Sequence, residues 1–312
     1  MRLVFLGTPS FAVPTLERVL QAGHEVLAVY TQPDRPKGRG QELAASPVKT
    51  AASAAGLQVR QPERIRRPEI VAELAALRPD GMVVVGYGQI IPQSIIDIPL
   101  LGIINVHASL LPKYRGAAPV QWAIVRGETV TGVTTMRIDA GLDTGEILLM
   151  RETPIGPEET AVELSARLAA IGAELLIESL VGLDAGTIVP RRQDHAQATL
   201  APILRKEDGR IDWSLSSTEV YNRVRGFLPW PGAYTTFRGV GLHVWRARVA
   251  EAPASSPPGS LSFEQRRLFA ACGGGASLEL LELQLEGRKR ITAEAFANGR
   301  RLEHNEVLGG VT

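Results

Sequence analysis

Only one cysteine, Cys272, occurs in the 312 residues. A single thiol excludes an intramolecular disulfide and any multi-thiolate metal site, and it fits a reducing compartment. Gly273-Gly274-Gly275 follows it and no His or Asn is near in sequence, so a structural role is expected rather than a nucleophilic one. His24, His195, His243 and His304 lack metal-ligand spacing, and no metal site is expected. Long apolar runs are missing too: no stretch of about 18 such residues occurs, so no membrane span is expected. Met1–Gly7 reads as a strand at once, and no leader is expected. The chain also lacks a charge excess, with a net of +1. Residues 1–204 carry 19 Lys/Arg and 21 Asp/Glu (net −2), and residues 205–312 carry 15 and 12 (net +3). That asymmetry is too small to argue for nucleic acid, which must rest on local clusters. Phosphate loops are absent as well. In Gly7-Thr8-Pro9-Ser10-Phe11-Ala12, Pro9 and Ala12 stand where G-x-G-x-x-G needs glycine, so the backbone cannot approach a pyrophosphate closely.

What is present is a two-part chain. Length gives a prior of about two domains. In the first half, apolar runs at Leu3–Leu6, Val26–Tyr30, Met82–Val85 and Ile103–Val106 alternate with helical patterns at 14–20, 48–55 and 68–77. Such alternation predicts a Rossmann-like, doubly wound, mainly parallel sheet. Further strands are expected at 133–137 and 147–151. Thr160-Ala161-Val162-Glu163 is a capping box opening a helix to about Leu183. Residues 187–206 are polar. Beyond 207 the long helices vanish, and short strands at 233–237, 242–248, 259–262, 267–270 and 278–285 predict a small β-barrel of OB type. A short helix at 292–298 and a final strand close the expectation. The expected domains are 1–189, a linker at 190–206, and 207–312.

The chemistry concentrates between Asn105 and Gly145. Asn105 and His107 are two apart on a strand end, so they face the same way. Asp143 lies in Asp139-Ala140-Gly141-Leu142-Asp143-Thr144-Gly145. An amide donor, an imidazole and a carboxylate suit an acyl transfer in which an oxyanion forms and a proton moves. Which nitrogen of His107 carries the proton is not legible. The adjacent carboxylates Glu158-Glu159 and Glu207-Asp208, and the arginines 64, 66 and 67, read as solvated surface.

Several segments together resemble a known family. They are Phe5-Leu6-Gly7-Thr8-Pro9, Thr31–Pro36 with Gly38-Arg39-Gly40, Ser46-Pro47-Val48-Lys49, Val84–Gly88, Asn105–Pro112, Arg115–Pro119, Gly141–Gly145, Arg210-Ile211-Asp212-Trp213 and Pro229-Trp230-Pro231-Gly232. They resemble the 10-formyltetrahydrofolate-dependent formyltransferases over essentially the whole chain, and among these the methionyl-tRNA formyltransferases. The resemblance implies formyl transfer from 10-formyltetrahydrofolate to the α-amino group of methionyl initiator tRNA, for translation initiation. It implies Asn105, His107 and Asp143 as catalytic residues. Ser109, Leu110, Leu111 and Pro112 would join the folate site, with Gly86, Tyr87, Gly88, Ile91, Asp139 and Gly141 at the pterin. Leu110 and Leu111 could equally be core, and Asp139 could only cap its turn.

The resemblance also implies that the basic loop with Arg35, Lys37 and Arg39 meets the tRNA acceptor stem. Where this family often continues with lysines, Gln41 and Glu42 follow here. Arg288, Lys289 and Arg290 on the small barrel are a second candidate tRNA contact. A cytoplasmic monomer is expected. Two alternatives stand beside this one: the same chemistry on another amine, such as a nucleotide sugar or purine precursor, and a non-catalytic tRNA-binding protein.

Overall fold

The computed structural model of the chain describes residues 1–37, 42–253, 256–303 and 306–309. It divides into two compact units. One comprises Met1–Pro119, Val130–Pro154 and Ser165–Pro202, the other Val120–Thr129, Ile155–Leu164 and Ile203–Thr312.

The chain runs β1 (Arg2–Gly7), α1 (Val13–Gln21), β2 (Glu25–Tyr30), β3 (Arg35–Lys37), β4 (Glu42–Ala44), α2 (Pro47–Ala54), β5 (Val59–Arg60), α3 (Pro68–Leu77) and β6 (Gly81–Val85). It continues with α4 (Gln93–Ile96), β7 (Ile103–His107), α5 (Pro119–Val125), β8 (Val130–Arg137), β9 (Ile147–Pro154) and α6 (Ala161–Asp184). Seven strands form one sheet in the order β5-β2-β1-β6-β7-β8-β9. The first five are parallel, and β8 and β9 are antiparallel additions. The expected mainly parallel sheet is therefore present. Every residue of β6 and β7 is buried, which is why β6 is apolar rather than alternating and why only Asn105 and His107 interrupt the apolar run of β7.

Helix ends follow local chemistry. Ser46 caps α2 by accepting from Lys49 N at 3.0 Å, with Pro47 in the first turn. The Thr160–Glu163 capping box opens α6 as expected. Gly172 on α6 lies against β7: a Cβ there would sit 2.7 Å from Val106 Cγ1. Val106 alternates with Asn105 and His107, so α6 covers one face of β7 and those two side chains leave from the other.

Two elements of the first unit were not expected. Residues 35–37 and 42–44 pair as an antiparallel hairpin where the sequence suggested only a loop. Residues 190–202 are not a free strand of solvent. Arg191 exchanges backbone hydrogen bonds with Ile147 at 2.8 and 2.9 Å, and Ala201 N donates to Arg115 O at 2.7 Å.

The second unit contains α7 (Ser217–Gly226), β10 (Ala233–Phe237), β11 (Val240–Pro253), β12 (Leu261–Glu264), β13 (Arg267–Ala271), β14 (Ala276–Leu285), β15 (Ile291–Thr292) and α8 (Ala293–Arg300). Where the sequence predicts a small β-barrel, the strands of this unit make an antiparallel sheet in the order β10-β11-β14-β13-β12 with β15 on β14. One expectation is corrected: a ten-residue helix, α7, follows residue 207, opened by a Ser216–Glu219 capping box. After α8 the expected strand is reduced, among the described residues, to a single bridge between Ser260 and Val307. Ile211 and Trp213 are core residues of this unit, and Trp213 Nε1 donates to Thr235 Oγ1 at 3.2 Å. Cys272 is in the same core, and burial pushes its thiol up to about 11, as a structural cysteine requires.

Glu279 on β14 is 5% exposed and accepts from Arg248 and Arg267 at 2.6 Å each. Hydrogen bonds from Arg267 dominate in lowering its pKa to about 2, with Arg248 adding to them against the cost of burial. A depressed folded-state pKa gives stability that is complete above the unfolded value near 4.5 and is lost as pH falls toward 2. Glu279→Gln should therefore lower the urea midpoint at pH 7. Between pH 5 and pH 3 its midpoint should fall less steeply than the wild-type midpoint, and parallel slopes would contradict the assignment.

Candidate active site

β7 delivers Asn105 and His107 to one spot, and the loop between β8 and β9 brings Asp143 to both. Asn105 Nδ2 donates to Asp143 Oδ1 at 3.5 Å. His107 Nδ1 lies 3.7 Å from Asp143 Oδ2. Asn105 is 9% exposed and His107 5%, so a large part of their solvation is replaced by protein. His107 Nε2 is 2.9 Å from the Tyr114 carbonyl. A carbonyl can only accept, so Nε2 carries hydrogen and donates to it. Nδ1 is then the ring nitrogen that faces Asp143 and is open to proton exchange.

Asp143 adopts φ +51°, a left-handed backbone that Asp tolerates better than most residues. Its Oδ2 also accepts from Gly116 N at 2.8 Å. The glycines of the motif answer steric demands. A Cβ on Gly145 would lie 1.9 Å from Arg137 O, and one on Gly141 would lie 2.0 Å from Thr144 Oγ1. Asp139 accepts from Gly141 N at 3.0 Å and from Thr144 Oγ1 at 2.7 Å, so it caps the turn that carries Asp143.

The segment after β7 is one hydrogen-bonded turn. Thr134 Oγ1 donates to Ser109 O at 2.6 Å and accepts from Leu111 N at 3.1 Å. Ser109 Oγ donates to Lys113 O at 2.6 Å. Tyr114, at φ +61°, accordingly presents its carbonyl to His107. Ser109 is fully buried, so its hydroxyl builds the turn. Leu111 packs with Met136 and Ile147, and Leu110 lies against Gly132. Pro112 is half-buried.

Beyond β6, Gly86 (φ +57°) and Gly88 (φ +85°) are exposed while Tyr87 and Ile91 are buried. The Tyr87 carbonyl accepts from Thr8 Oγ1 at 3.0 Å and Gln32 Nε2 at 3.1 Å, tying together the loops at the carboxyl ends of β1, β2 and β6. The Tyr87 hydroxyl is buried with no hydrogen-bond partner among the described residues, and burial raises its pKa.

The basic candidates lie apart from this cluster in sequence and differ among themselves. Arg35 is exposed. Lys37 has its backbone in β3, with its side chain outside the description, and Arg39 lies outside the described residues. Asp34, at the base of the hairpin, is bonded by Lys49 at 2.5 Å and Gln61 at 2.7 Å. Those bonds, that from Lys49 foremost, hold its carboxyl below the usual range. Arg288 and Lys289 are exposed. Arg290 is paired with Glu282 and lies 5.2 Å from the Trp245 ring centroid. Among the described residues no His, Cys, Asp or Glu cluster could hold a metal.

Sequence reasoning missed Gln193, a 6%-exposed side chain in the polar stretch after α6. Its Nε2 donates to Asp143 O at 2.9 Å and to Gly145 O at 2.8 Å. Its Oε1 accepts from Arg115 Nε at 3.1 Å and Nη2 at 2.6 Å. No local signal marks it, since its neighbours Arg191, Arg192, Asp194 and His195 are polar in the way of a solvated segment.

Two family models match the chain, "Formyl transferase" over residues 1–180 and "Formyl transferase, C-terminal domain" over residues 203–301. The chain belongs to the formyl transferase family. Among relatives of this family, the methionyl-tRNA formyltransferase of Solibacter usitatus is 66% identical over 99% of each chain. That of Koribacter versatilis is 58% identical, again over 99% of each. Among solved structures, an N-formyltransferase from Helicobacter canadensis in complex with folinic acid and dTDP-3-aminofucose has a TM-score of 0.65 at 18% identity. The match covers 89% of this chain and 98% of that one. HypX from Aquifex aeolicus, solved with tetrahydrofolic acid, has a TM-score of 0.65 at 18% identity, over 98% of this chain and 48% of that one. These structural likenesses concern the formyl transferase fold.

Gly116 has φ +116°, and a Cβ on it would lie 2.7 Å from the Ala201 carbonyl oxygen. Gly116→Ala should lower the unfolding free energy by roughly 1–3 kcal/mol, read by urea denaturation. Unchanged stability would show that the 114–116 turn is not held as described.

Proposed function

We propose that the chain transfers the formyl group of 10-formyltetrahydrofolate to the α-amino group of methionyl initiator tRNA, with Asn105, His107 and Asp143 as the catalytic groups. The observation that carries this reading is the convergence of Asn105 and His107 on the half-buried carboxylate of Asp143. Full-length likeness to methionyl-tRNA formyltransferases supports the choice of acceptor.

The residues fit the folate substrate, which supplies the formyl group. Gly86, Tyr87, Gly88, Ile91, Ser109–Pro112, Asp139 and Gly141 stand on the loops after β6, β7 and β8. Tyr87, Ser109 and Leu111 are buried and Asp139 is engaged in its turn. Recognition there therefore falls to backbone N–H and C=O groups. Ile90 and Leu142, 90% and 63% exposed, offer apolar surface that a flat ring could cover.

When the amine attacks the formyl carbon, negative charge develops on the formyl oxygen. Asn105 Nδ2–H donates to that oxygen, and so does His107 Nδ1–H when the ring carries a proton on both nitrogens, each worth roughly 3–4 kcal/mol when removed from such a site. One proton must leave the attacking nitrogen, and one must reach the nitrogen that gives up the formyl group. Asp143 accepts the first through water, and His107 can return a proton from Nδ1. Because Tyr114 O holds Nε2–H, both His107 roles fall to one nitrogen.

Residues 1–189 serve as the catalytic domain, 190–206 as a linker whose first part packs on that domain, and 207–312 as the tRNA-binding domain. Arg35, Lys37 and Arg39 would meet the acceptor stem, and Arg288, Lys289 and Arg290 would meet phosphates elsewhere on the tRNA. Because Arg290 is tied to Glu282, Arg288 and Lys289 carry more of that contact. The same reading takes the protein as a cytoplasmic monomer without a membrane partner. Its one thiol is free and buried, and no helix among the described residues is long and apolar enough to cross a membrane.

The test is a transfer assay with labelled 10-formyltetrahydrofolate, methionyl initiator tRNA, uncharged tRNA and an amino-sugar nucleotide. Label on the methionyl ester alone is expected, and His107→Ala should reduce turnover by 100-fold or more, ~3 kcal/mol in the barrier. Label on the sugar would discard the tRNA acceptor, and tight tRNA binding without transfer would discard the enzyme. The double substitution of Arg288 and Lys289 by Ala should weaken tRNA binding and reduce its slope against log salt by about 1–2. An unchanged slope would remove these residues from the phosphate contacts.

A further inference from the structure

Gln193 joins two pieces of the site that the sequence leaves far apart. The residues before it dock first: Arg191 N donates to Ile147 O and Ile147 N to Arg191 O, which aligns the segment with the start of β9. The side chain of Gln193 then enters between the Asp143 turn and Arg115. Its orientation is dictated by its partners. Two carbonyls, Asp143 O and Gly145 O, need donors, and the Arg115 guanidinium needs an acceptor. Exchanging the amide N and O would set oxygen against carbonyl oxygens and NH2 against guanidinium N–H groups. One primary amide thus makes four hydrogen bonds with both of its ends.

The two carbonyls belong to residues 143 and 145, on either side of the turn whose first residue has φ +51°. The dipeptide Arg115-Gly116 acts on the same residue twice. Arg115 reaches the Asp143 backbone through Gln193, and Gly116 N–H donates to the Asp143 carboxylate at 2.8 Å. Arg115 is itself anchored. Its backbone bonds to Thr199 and Ala201, and its Nη2 donates to His195 Nδ1 at 3.1 Å.

We propose that Gln193 is a positioning residue for Asp143: its amide clamps the 143–145 turn and so sets where the carboxylate lies against His107 and Asn105. This rests on the catalytic reading of Asp143 given above. Gln193 bonds the backbone of Asp143 and not its carboxylate. It fixes a separation, the 3.7 Å between His107 Nδ1 and Asp143 Oδ2, that governs proton exchange between them. Misplacement of such a group by about 1 Å can cost on the order of 100-fold in rate.

Gln193→Glu separates the clamp from simple support of Arg115. A carboxylate keeps, and strengthens, the acceptor for Arg115, yet it cannot donate to the Asp143 and Gly145 carbonyls. The full chain, assayed for formyl transfer to methionyl initiator tRNA, should show kcat lowered by about 10–100-fold. KM for both substrates should stay within about threefold, and the pH profile of kcat should be displaced. Wild-type kcat and pH profile in Q193E would overturn the proposal and leave Gln193 a partner of Arg115 alone. Should Q193E fold poorly, Gln193→Ala assayed with and without acetamide is the second variant. Partial recovery of kcat with acetamide, at unchanged KM, is expected, and a folded Q193A with wild-type kcat would overturn the proposal equally. His107→Ala and Asp143→Asn are run alongside. If they keep full turnover, the catalytic reading fails. If they lose turnover while Q193E keeps it, only the positioning role fails.

Discussion

The site depends on a single carboxylate held in an unfavourable backbone. Asp143 sits at φ +51°, a conformation that costs about 1–2 kcal/mol for a residue with a Cβ. It persists because the surroundings determine it from several directions. The carboxylate takes N–H groups from Gly116 and Asn105 and faces His107, and the backbone is bonded from behind by Gln193. Remove these and the residue would relax to a commoner region, carrying its oxygens away from β7. The flanking glycines belong to the same constraint, because Gly145 passes too close to Arg137 O for any side chain.

β7 is the other half of that constraint. Pairing with β6 on one side and β8 on the other fixes its register, and α6 occupies the face of Val106. Asn105 and His107 are left the opposite face. The turn that follows is built from its own polar groups, with Ser109 and Thr134 satisfying backbone atoms that burial would otherwise leave unpaired. His107 is oriented by a main-chain carbonyl, that of Tyr114, so its geometry is set by the fold and not by another side chain's rotamer.

Much of this was legible in the sequence because it is local. The doubly buried strands are apolar apart from Asn105 and His107 in β7, two-residue spacing puts those two together, and the Asp139–Gly145 motif is a turn by composition. The Thr160–Glu163 box announced α6. Ser216–Glu219 is a box of the same kind and opens α7, a helix that the expectation of short strands beyond 207 does not include. The 35–44 hairpin escaped because its proline and glycines suppress the strand pattern. Gln193 and the burial of Arg115 were out of reach for a different reason. The partners of Gln193 lie 48 to 78 residues away, and a buried amide among polar neighbours has no signature until the chain is folded.

Family motifs in this chain answer to two separate physical demands. Ile211 and Trp213 in Arg210-Ile211-Asp212-Trp213 are core residues of the second unit, and Asp212 caps a turn by accepting from Ser214 N and Oγ. Ser46-Pro47-Val48-Lys49 caps a helix and, through Lys49, holds Asp34 at the base of a basic hairpin. Neither touches the trio. Lys49 pairs with the acid that directly precedes Arg35. Resemblance alone cannot sort such residues from catalytic ones. Burial and hydrogen-bond direction do distinguish them: Ser109 donates inward to its own turn, whereas the Nδ1 of His107, with Nε2 committed to Tyr114 O, faces the Asp143 carboxylate, as the proposed catalytic role requires.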